Sequence, residues 1–88
     1  MLQNEFLIVN KLGLHARASA LFVKTASRFT SEVKLARESV EVNGKSIMGI
    51  MMLAASKGTT VRLTVNGDDE TEAMQTIGEL IVNGFGEE

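Results

Sequence analysis

Hydrophobic and polar positions follow two different periods along this chain of 88 residues. Four short segments show the strict alternation or the β-branched apolar run that is typical of β-strands. They are residues 5–10, 32–37, 39–43 and 60–66. Residues 16–28 place their apolar side chains at helical spacing, and a second helical pattern follows Asp69 and stops at Gly84. The pattern therefore predicts strands and helices in a mixed order.

Side-chain periodicity also predicts which helical residues are buried. In the first helix these are Ala18, Leu21, Phe22, Thr25, Ala26 and Phe29; in the last helix they are Ala73, Ile77, Leu80 and Ile81. Ser46 is the predicted N-cap of a short helix over residues 47–53. Asp69 and Glu72 have the spacing of a capping box, which predicts that Asp69 caps the last helix.

The resulting order, βαββαβα, predicts an α+β fold with a single domain over residues 1–88. The apolar face of a four-stranded sheet must be buried against another layer, and the three predicted helices can form that layer. We expect an open-faced β-sandwich, in which a four-stranded antiparallel sheet is covered on one face by three helices. Ferredoxin-like folds share much of this order, so the pattern does not determine the strand order within the sheet.

Composition excludes several classes of function. Cysteine, tryptophan and tyrosine are absent and histidine occurs once, which excludes disulfides, thiol nucleophiles and the usual zinc sites. We therefore expect neither a metal nor a cofactor. A net charge of −2 and only four phenylalanines argue against nucleic-acid binding. The apolar run near the N-terminus is too short for a signal peptide or a membrane span, which predicts a cytoplasmic protein without a membrane partner.

Charge is distributed unevenly along the chain. Residues 1–45 hold seven basic and four acidic side chains, whereas residues 46–88 hold two basic and seven acidic ones. Between Glu5 and Glu32 the sequence has no carboxylate at all, yet this stretch contains His15 and four basic residues, Lys11, Arg17, Lys24 and Arg28. A basic stretch without carboxylates is suited to an anion, although a chance bias on a solvated surface would look the same.

His15 stands where a glycine-containing loop meets the first predicted helix. Backbone N–H groups of the first helical turn, at Ala16, Arg17 and Ala18, have no partner inside the helix and attract anions. The Arg17 guanidinium is suited to phosphate or carboxylate. Because imidazole is a nucleophile at neutral pH, the His15 side chain could accept a phosphoryl group. The alternative is a surface histidine that caps a helix, with Arg17 in solvent.

Two sequence blocks resemble one known family. Gly13-Leu14-His15-Ala16-Arg17 resembles the active-site motif of the HPr family, the histidine-containing phosphocarriers of the bacterial phosphoenolpyruvate-dependent phosphotransferase system. Residues 43–51, Asn-Gly-Lys-Ser-Ile-Met-Gly-Ile-Met, resemble the regulatory-serine segment of that family. The resemblance covers the whole chain. One departure is Ala18, which stands where the family usually has proline.

The resemblance implies a phosphocarrier and not an enzyme. His15 would accept a phosphoryl group on Nδ1 from phosphorylated enzyme I and pass it to an EIIA or EIIB component. Arg17 and the backbone amides of Ala16 and Arg17 would hold the phosphoryl oxygens. Ser46 has two interpretations: an N-cap hydroxyl, or a site that HPr kinase/phosphorylase phosphorylates.

A Met-rich apolar patch next to His15 predicts a docking surface for several partners. The residues assigned to it are Leu14, Ala20, Lys24, Lys45, Ile47, Met48 and Met51. We expect a monomer that binds partners with acidic and apolar surfaces weakly and releases them quickly.

Two alternatives remain open from the sequence. Residues 43–51 look more like the sugar-uptake branch of the family, with control by a serine. Residues 84–88 and 53–58 look somewhat like the nitrogen-related branch, in which a similar carrier serves regulation and not sugar uptake. From a different class, a small-molecule-binding regulatory module on a ferredoxin-like fold has a similar element order.

Overall fold

A computed structural model describes residues 1–87 and contains four β-strands and three α-helices in the predicted order. The elements are β1 (Leu2–Leu7), α1 (Ala16–Ala26), β2 (Glu32–Arg37), β3 (Val40–Asn43), α2 (Ile47–Met52), β4 (Thr60–Asn66) and α3 (Glu70–Val82). A 3₁₀ turn, Gly84–Gly86, follows α3. Glu88, the last residue of the predicted domain, lies outside the described residues.

The four strands form one antiparallel sheet in the order β1-β4-β2-β3. Alternate residues of the central strands are buried, so that Leu35 of β2 lies opposite Leu63 of β4 and Val33 opposite Val65. Helix α3 packs on β1 and β4, and α1 packs against both other helices. The predicted open-faced α+β sandwich is therefore confirmed, and the strand order, which periodicity could not determine, is now given.

Strand β1 begins and ends earlier than the apolar run predicts. It pairs with β4 along its whole length, from Leu2 opposite Val65 to Leu7 opposite Thr60. Its polar residues face solvent at the sheet edge, so the pattern of hydrophobic positions does not mark them as part of a strand. None of the helices in residues 1–87 is both long and apolar enough to cross a membrane.

The helical faces differ from the prediction at three positions. Leu21 is exposed and Leu80 is only half-buried, whereas Ser19 is completely buried. The Ser19 hydroxyl donates a hydrogen bond to the carbonyl of Leu14 at 3.0 Å. This bond satisfies its polar group inside the core, which is why a serine is tolerated at a buried position of the helix.

Asp69 does not cap α3 with its side chain, so the predicted capping box is wrong. Its carboxylate accepts the backbone N–H groups of Thr30 and Ser31, each at 2.9 Å, and also the Ser31 hydroxyl. The donors belong to the turn before β2, and they turn the carboxylate away from its own helix. Asp69 thus links the start of α3 to the start of β2.

Replacing Asp69 by asparagine tests this link. The Ser31 hydroxyl, followed by the Thr30 amide, lowers the pKa of Asp69 from 3.8 to about 2. Since the folded-state pKa is lowered, the stabilisation is complete above about pH 4 and disappears as the pH falls towards about 2. We expect Asp69→Asn to lower the melting temperature by several degrees at neutral pH, with a much smaller loss at about pH 2.

Thermal melts followed by far-UV circular dichroism across this pH range measure the difference. Asp68→Asn is the matched control, because Asp68 is the exposed neighbour and carries the same charge. An Asp69→Asn deficit that does not change with pH would contradict the assigned link.

Candidate functional site

The loop before α1 is pinned to the core at several points. Gly13 takes a left-handed backbone conformation (φ 64°), and its carbonyl accepts a hydrogen bond from the Asn10 side chain at 2.8 Å. The next amide, that of Leu14, donates to the carbonyl of Ala55 at 2.9 Å. This loop therefore fixes the position of His15 at the start of α1.

Leu14 is a correction to the predicted docking surface. Its side chain is only 5% exposed and belongs to the hydrophobic core. The hydrogen bond from its amide to Ala55 directs the side chain inward. Leu14 consequently anchors the loop that carries His15 and offers almost no surface to a partner.

His15 is the N-cap residue of α1, with an extended backbone (φ −74°, ψ 179°). Its carbonyl accepts the Ser19 amide at 2.8 Å, while its imidazole makes no capping hydrogen bond. The first amides of the helix, including those of Ala16 and Arg17, lack intrahelical partners because of their position. The Arg17 side chain is exposed beside them. The structure thus brings the predicted nucleophile, the predicted guanidinium and a helix N-terminus together.

Glu87 also lies at this site, which the sequence reasoning missed. Its Oε2 is 2.6 Å from Nε2 of His15, and its Oε1 accepts a hydrogen bond from Asn10 Nδ2 at 3.0 Å. Hydrogen bonds from Asn10 and then His15, together with the charge of Arg17, lower the pKa of Glu87. The stretch around His15 has no carboxylate in the sequence, but the folded site has one, because Glu87 comes from a distant part of the chain.

The C-terminal segment returns to His15 through three consecutive left-handed residues. Gly84 (φ 63°), Phe85 (φ 59°) and Gly86 (φ 74°) form this turn. Phe85 is buried in the core and anchors the segment there. Two glycines around one aromatic residue after a helix were the available sequence signal for this turn.

An open cleft of about 510 Å³ surrounds the imidazole. Its lining residues are Lys11, Leu12, His15, Arg17, Gly86 and Glu87. The two cationic side chains on its walls outnumber the one carboxylate, that of Glu87, and the helix amides add further attraction for an anionic group next to the imidazole. The arrangement is suited to a small, strongly charged group such as a phosphoryl group.

Most of the remaining predicted docking residues lie on exposed parts of α1 and α2. Ala20 and Lys24 are exposed on α1; Ile47, Met48 and Met51 are exposed on α2. Since α1 packs against α2, we define these five residues as the docking surface. Lys45 is half-buried instead, and its Nζ donates to the carbonyl of Phe29 at 2.7 Å. That bond gives Lys45 a role in holding the turn before α2.

Ser46 is the N-cap of α2, as predicted. Its Oγ accepts a hydrogen bond from the amide of Gly49 at 3.1 Å. The hydroxyl is half-buried and adjoins Ile47 of the docking surface. Phosphorylation of Ser46 stays a prediction.

Comparison with known proteins gives a consistent result. A family model described as "PTS HPr component phosphorylation site" matches residues 2–83. A phosphocarrier protein HPr from Neisseria meningitidis is 56% identical over 87 residues, which cover 99% of this chain and 98% of that protein. One from Xylella fastidiosa is 52% identical over 88 residues, covering 100% and 99% of the two chains. The crystal structure of an HPr from Thermoanaerobacter tengcongensis superposes with a TM-score of 0.96 at 50% identity, covering 100% of this chain and 99% of the other.

Proposed function

This chain belongs to the HPr family of phosphocarrier proteins of the phosphotransferase system, and we propose that His15 is its phosphoryl acceptor. In this proposal His15 receives the group on Nδ1 from phosphorylated enzyme I and passes it to EIIA-type components. The observation that carries the proposal is the partly exposed imidazole at the N-terminus of α1, in a cleft with Arg17 and Lys11.

The transfer needs only groups that lie in this cleft. The Nδ1 lone pair of His15 forms a bond to phosphorus as the bond between phosphorus and the donor group of enzyme I breaks, and the donor group keeps that electron pair. Arg17 and the amides of the first helical turn neutralise part of the charge on the phosphoryl oxygens. The chain is a carrier, so each transfer leaves it phosphorylated until a second partner removes the group.

The site is expected to stabilise a bound phosphoryl group only moderately, which suits a carrier. Arg17 is exposed to solvent, where an interaction between charges is much weaker than in a protein interior. A deeply buried site with several arginines would stabilise the phosphorylated state so strongly that transfer to the next protein would be slow. The exposed site therefore keeps the group transferable.

Phosphorylation by enzyme I tests the proposal. Incubation with phosphoenolpyruvate and enzyme I is expected to label the protein with phosphate that is labile in acid and stable in base, as a phosphohistidine is. His15→Ala is expected to abolish the label while the circular dichroism spectrum stays native. Labelling that persists in His15→Ala, or that never occurs in the unmodified protein, would overturn the proposal.

We further propose that enzyme I binds the docking surface. The exposed methionines are flexible and can adapt to more than one partner, while Lys24 attracts acidic side chains. Because this surface includes α1, which begins directly after His15, and α2, which packs against α1, a protein bound there lies next to the phosphoryl acceptor.

Met48→Asp is expected to weaken the binding of enzyme I by about tenfold or more, since it places a charge in an apolar contact. Met48 is 73% exposed, so the change should leave the melting temperature nearly unaltered. Isothermal titration calorimetry with enzyme I measures the dissociation constant. Val82→Asp is the matched control, because Val82 is an exposed apolar residue on α3. Equal weakening by the two variants would contradict the location of the docking surface.

A further inference from the structure

Glu87, which contacts His15, lies outside the two sequence motifs that indicated the site. The contact joins residues 72 positions apart, at 2.6 Å between Oε2 and Nε2. Only 18% of the Glu87 side chain and 27% of the His15 side chain are exposed. A contact this short and this shielded is stronger than an ordinary surface ion pair.

Glu87 is held in a fixed position from two sides. Its other carboxylate oxygen accepts a hydrogen bond from Asn10, whose side chain is itself buried and also donates to the carbonyl of Gly13. Two residues before it, Phe85 is anchored in the core. The carboxylate therefore belongs to the same rigid unit as the loop that carries His15.

The chemistry of the Glu87 carboxylate and the His15 imidazole determines which ring nitrogen carries the proton. An ionised carboxylate only accepts hydrogen bonds, so the proton of the neutral imidazole lies on Nε2. The hydrogen bonds from Asn10 and His15 lower the pKa of Glu87 and keep it ionised at neutral pH. The second ring nitrogen, Nδ1, then carries the lone pair, and no side chain among residues 1–87 hydrogen-bonds to it.

We propose that Glu87 is the positioning residue for phosphoryl transfer: it holds the imidazole proton on Nε2, leaves Nδ1 unprotonated and balances the positive charge of the phosphorylated ring. The inference rests on the proposed function of His15. Carboxylates that hold a histidine through its second nitrogen act in this way in other sites.

During the transfer the proton stays in place. When Nδ1 forms its bond to phosphorus and the bond between phosphorus and the donor group of enzyme I breaks, the ring of His15 keeps its Nε2 proton and becomes positively charged. The Glu87 carboxylate then faces a cation across the same hydrogen bond, which becomes stronger. Its interaction with the ring therefore favours the transition state more than the starting state.

The experiment compares Glu87→Ala with Glu72→Ala. Glu72 is an exposed glutamate on α3, so its replacement removes the same charge far from the imidazole contact. Nitrogen-15 NMR of the unphosphorylated proteins reports which ring nitrogen carries the proton. Rapid-mixing kinetics with phosphorylated enzyme I reports the rate of label transfer, and circular dichroism confirms the fold.

We expect Glu87→Ala to increase the population with a proton on Nδ1 and to slow phosphoryl transfer about tenfold, whereas Glu72→Ala changes neither. An unchanged tautomer population in Glu87→Ala would overturn the positioning role, and so would an unchanged transfer rate. These results differ from failure of the proposed function, in which the unmodified protein takes up no phosphate on His15.

Discussion

Arg17→Ala is expected to slow phosphoryl transfer from enzyme I to this protein by about a hundredfold. The phosphoryl group carries close to two negative charges when bound, and the guanidinium of Arg17 is the cation that follows His15 most closely along α1. Lys11 also lines the cleft and attracts the same group, so the loss is large without being complete.

Stability should change little in this variant. Arg17 is exposed, and its side chain makes no hydrogen bond or ion pair within residues 1–87 that its removal would break. Rapid-mixing kinetics and thermal melting separate the two effects. Arg28→Ala is the matched control: Arg28 is exposed, and its guanidinium lies 6.0 Å from the ring centre of its neighbour Phe29. Equal slowing by both variants would show that overall charge, and not the position of Arg17, determines the rate.

Gly13→Ala is expected to destabilise the protein by about 2–5 kcal/mol. Gly13 has a φ of 64°, which disfavours any side chain. A Cβ atom there would also lie 2.8 Å from Cα of Ser56 and even closer to the carbonyl oxygen of Ala55. Both neighbours are backbone atoms, so the loop has to move away from them. Because this loop carries His15, transfer should slow as well.

Urea denaturation measures the free energy of unfolding, with Gly58→Ala as the control. Gly58 also has a positive φ, 92°, but nothing lies within 4 Å of a Cβ added there. We expect this control to lose only about 1 kcal/mol, from backbone strain alone. Similar losses in both variants would mean that the contact with residues 55 and 56 does not hold the loop.

Local patterns predicted the elements because burial in this fold follows one face of each strand and helix. The bounds of β2 and β4 agree with the alternation, and Ser46 caps α2 as its type and position indicate. His15 and Arg17 were found for a similar reason. Their roles depend on neighbours in the sequence, namely a glycine turn and the start of a helix.

Contacts between distant parts of the chain could not be predicted in this way. Asp69 has the spacing of a helix cap, yet the amides of Thr30 and Ser31 bind its carboxylate. Leu14 adjoins His15 in the sequence but points into the core. Glu87 reaches the imidazole only because the chain turns back after α3. Each of these depends on how the elements pack together, which periodicity does not report.

The atom that carries the phosphoryl group can be identified directly. Phosphorus-31 and nitrogen-15 NMR of the phosphorylated, nitrogen-15-labelled protein identifies the nitrogen bonded to phosphorus. We expect coupling of phosphorus to Nδ1 of His15, with the proton still on Nε2. Phosphorus bonded to Nε2, or attached to any other residue, would contradict this expectation.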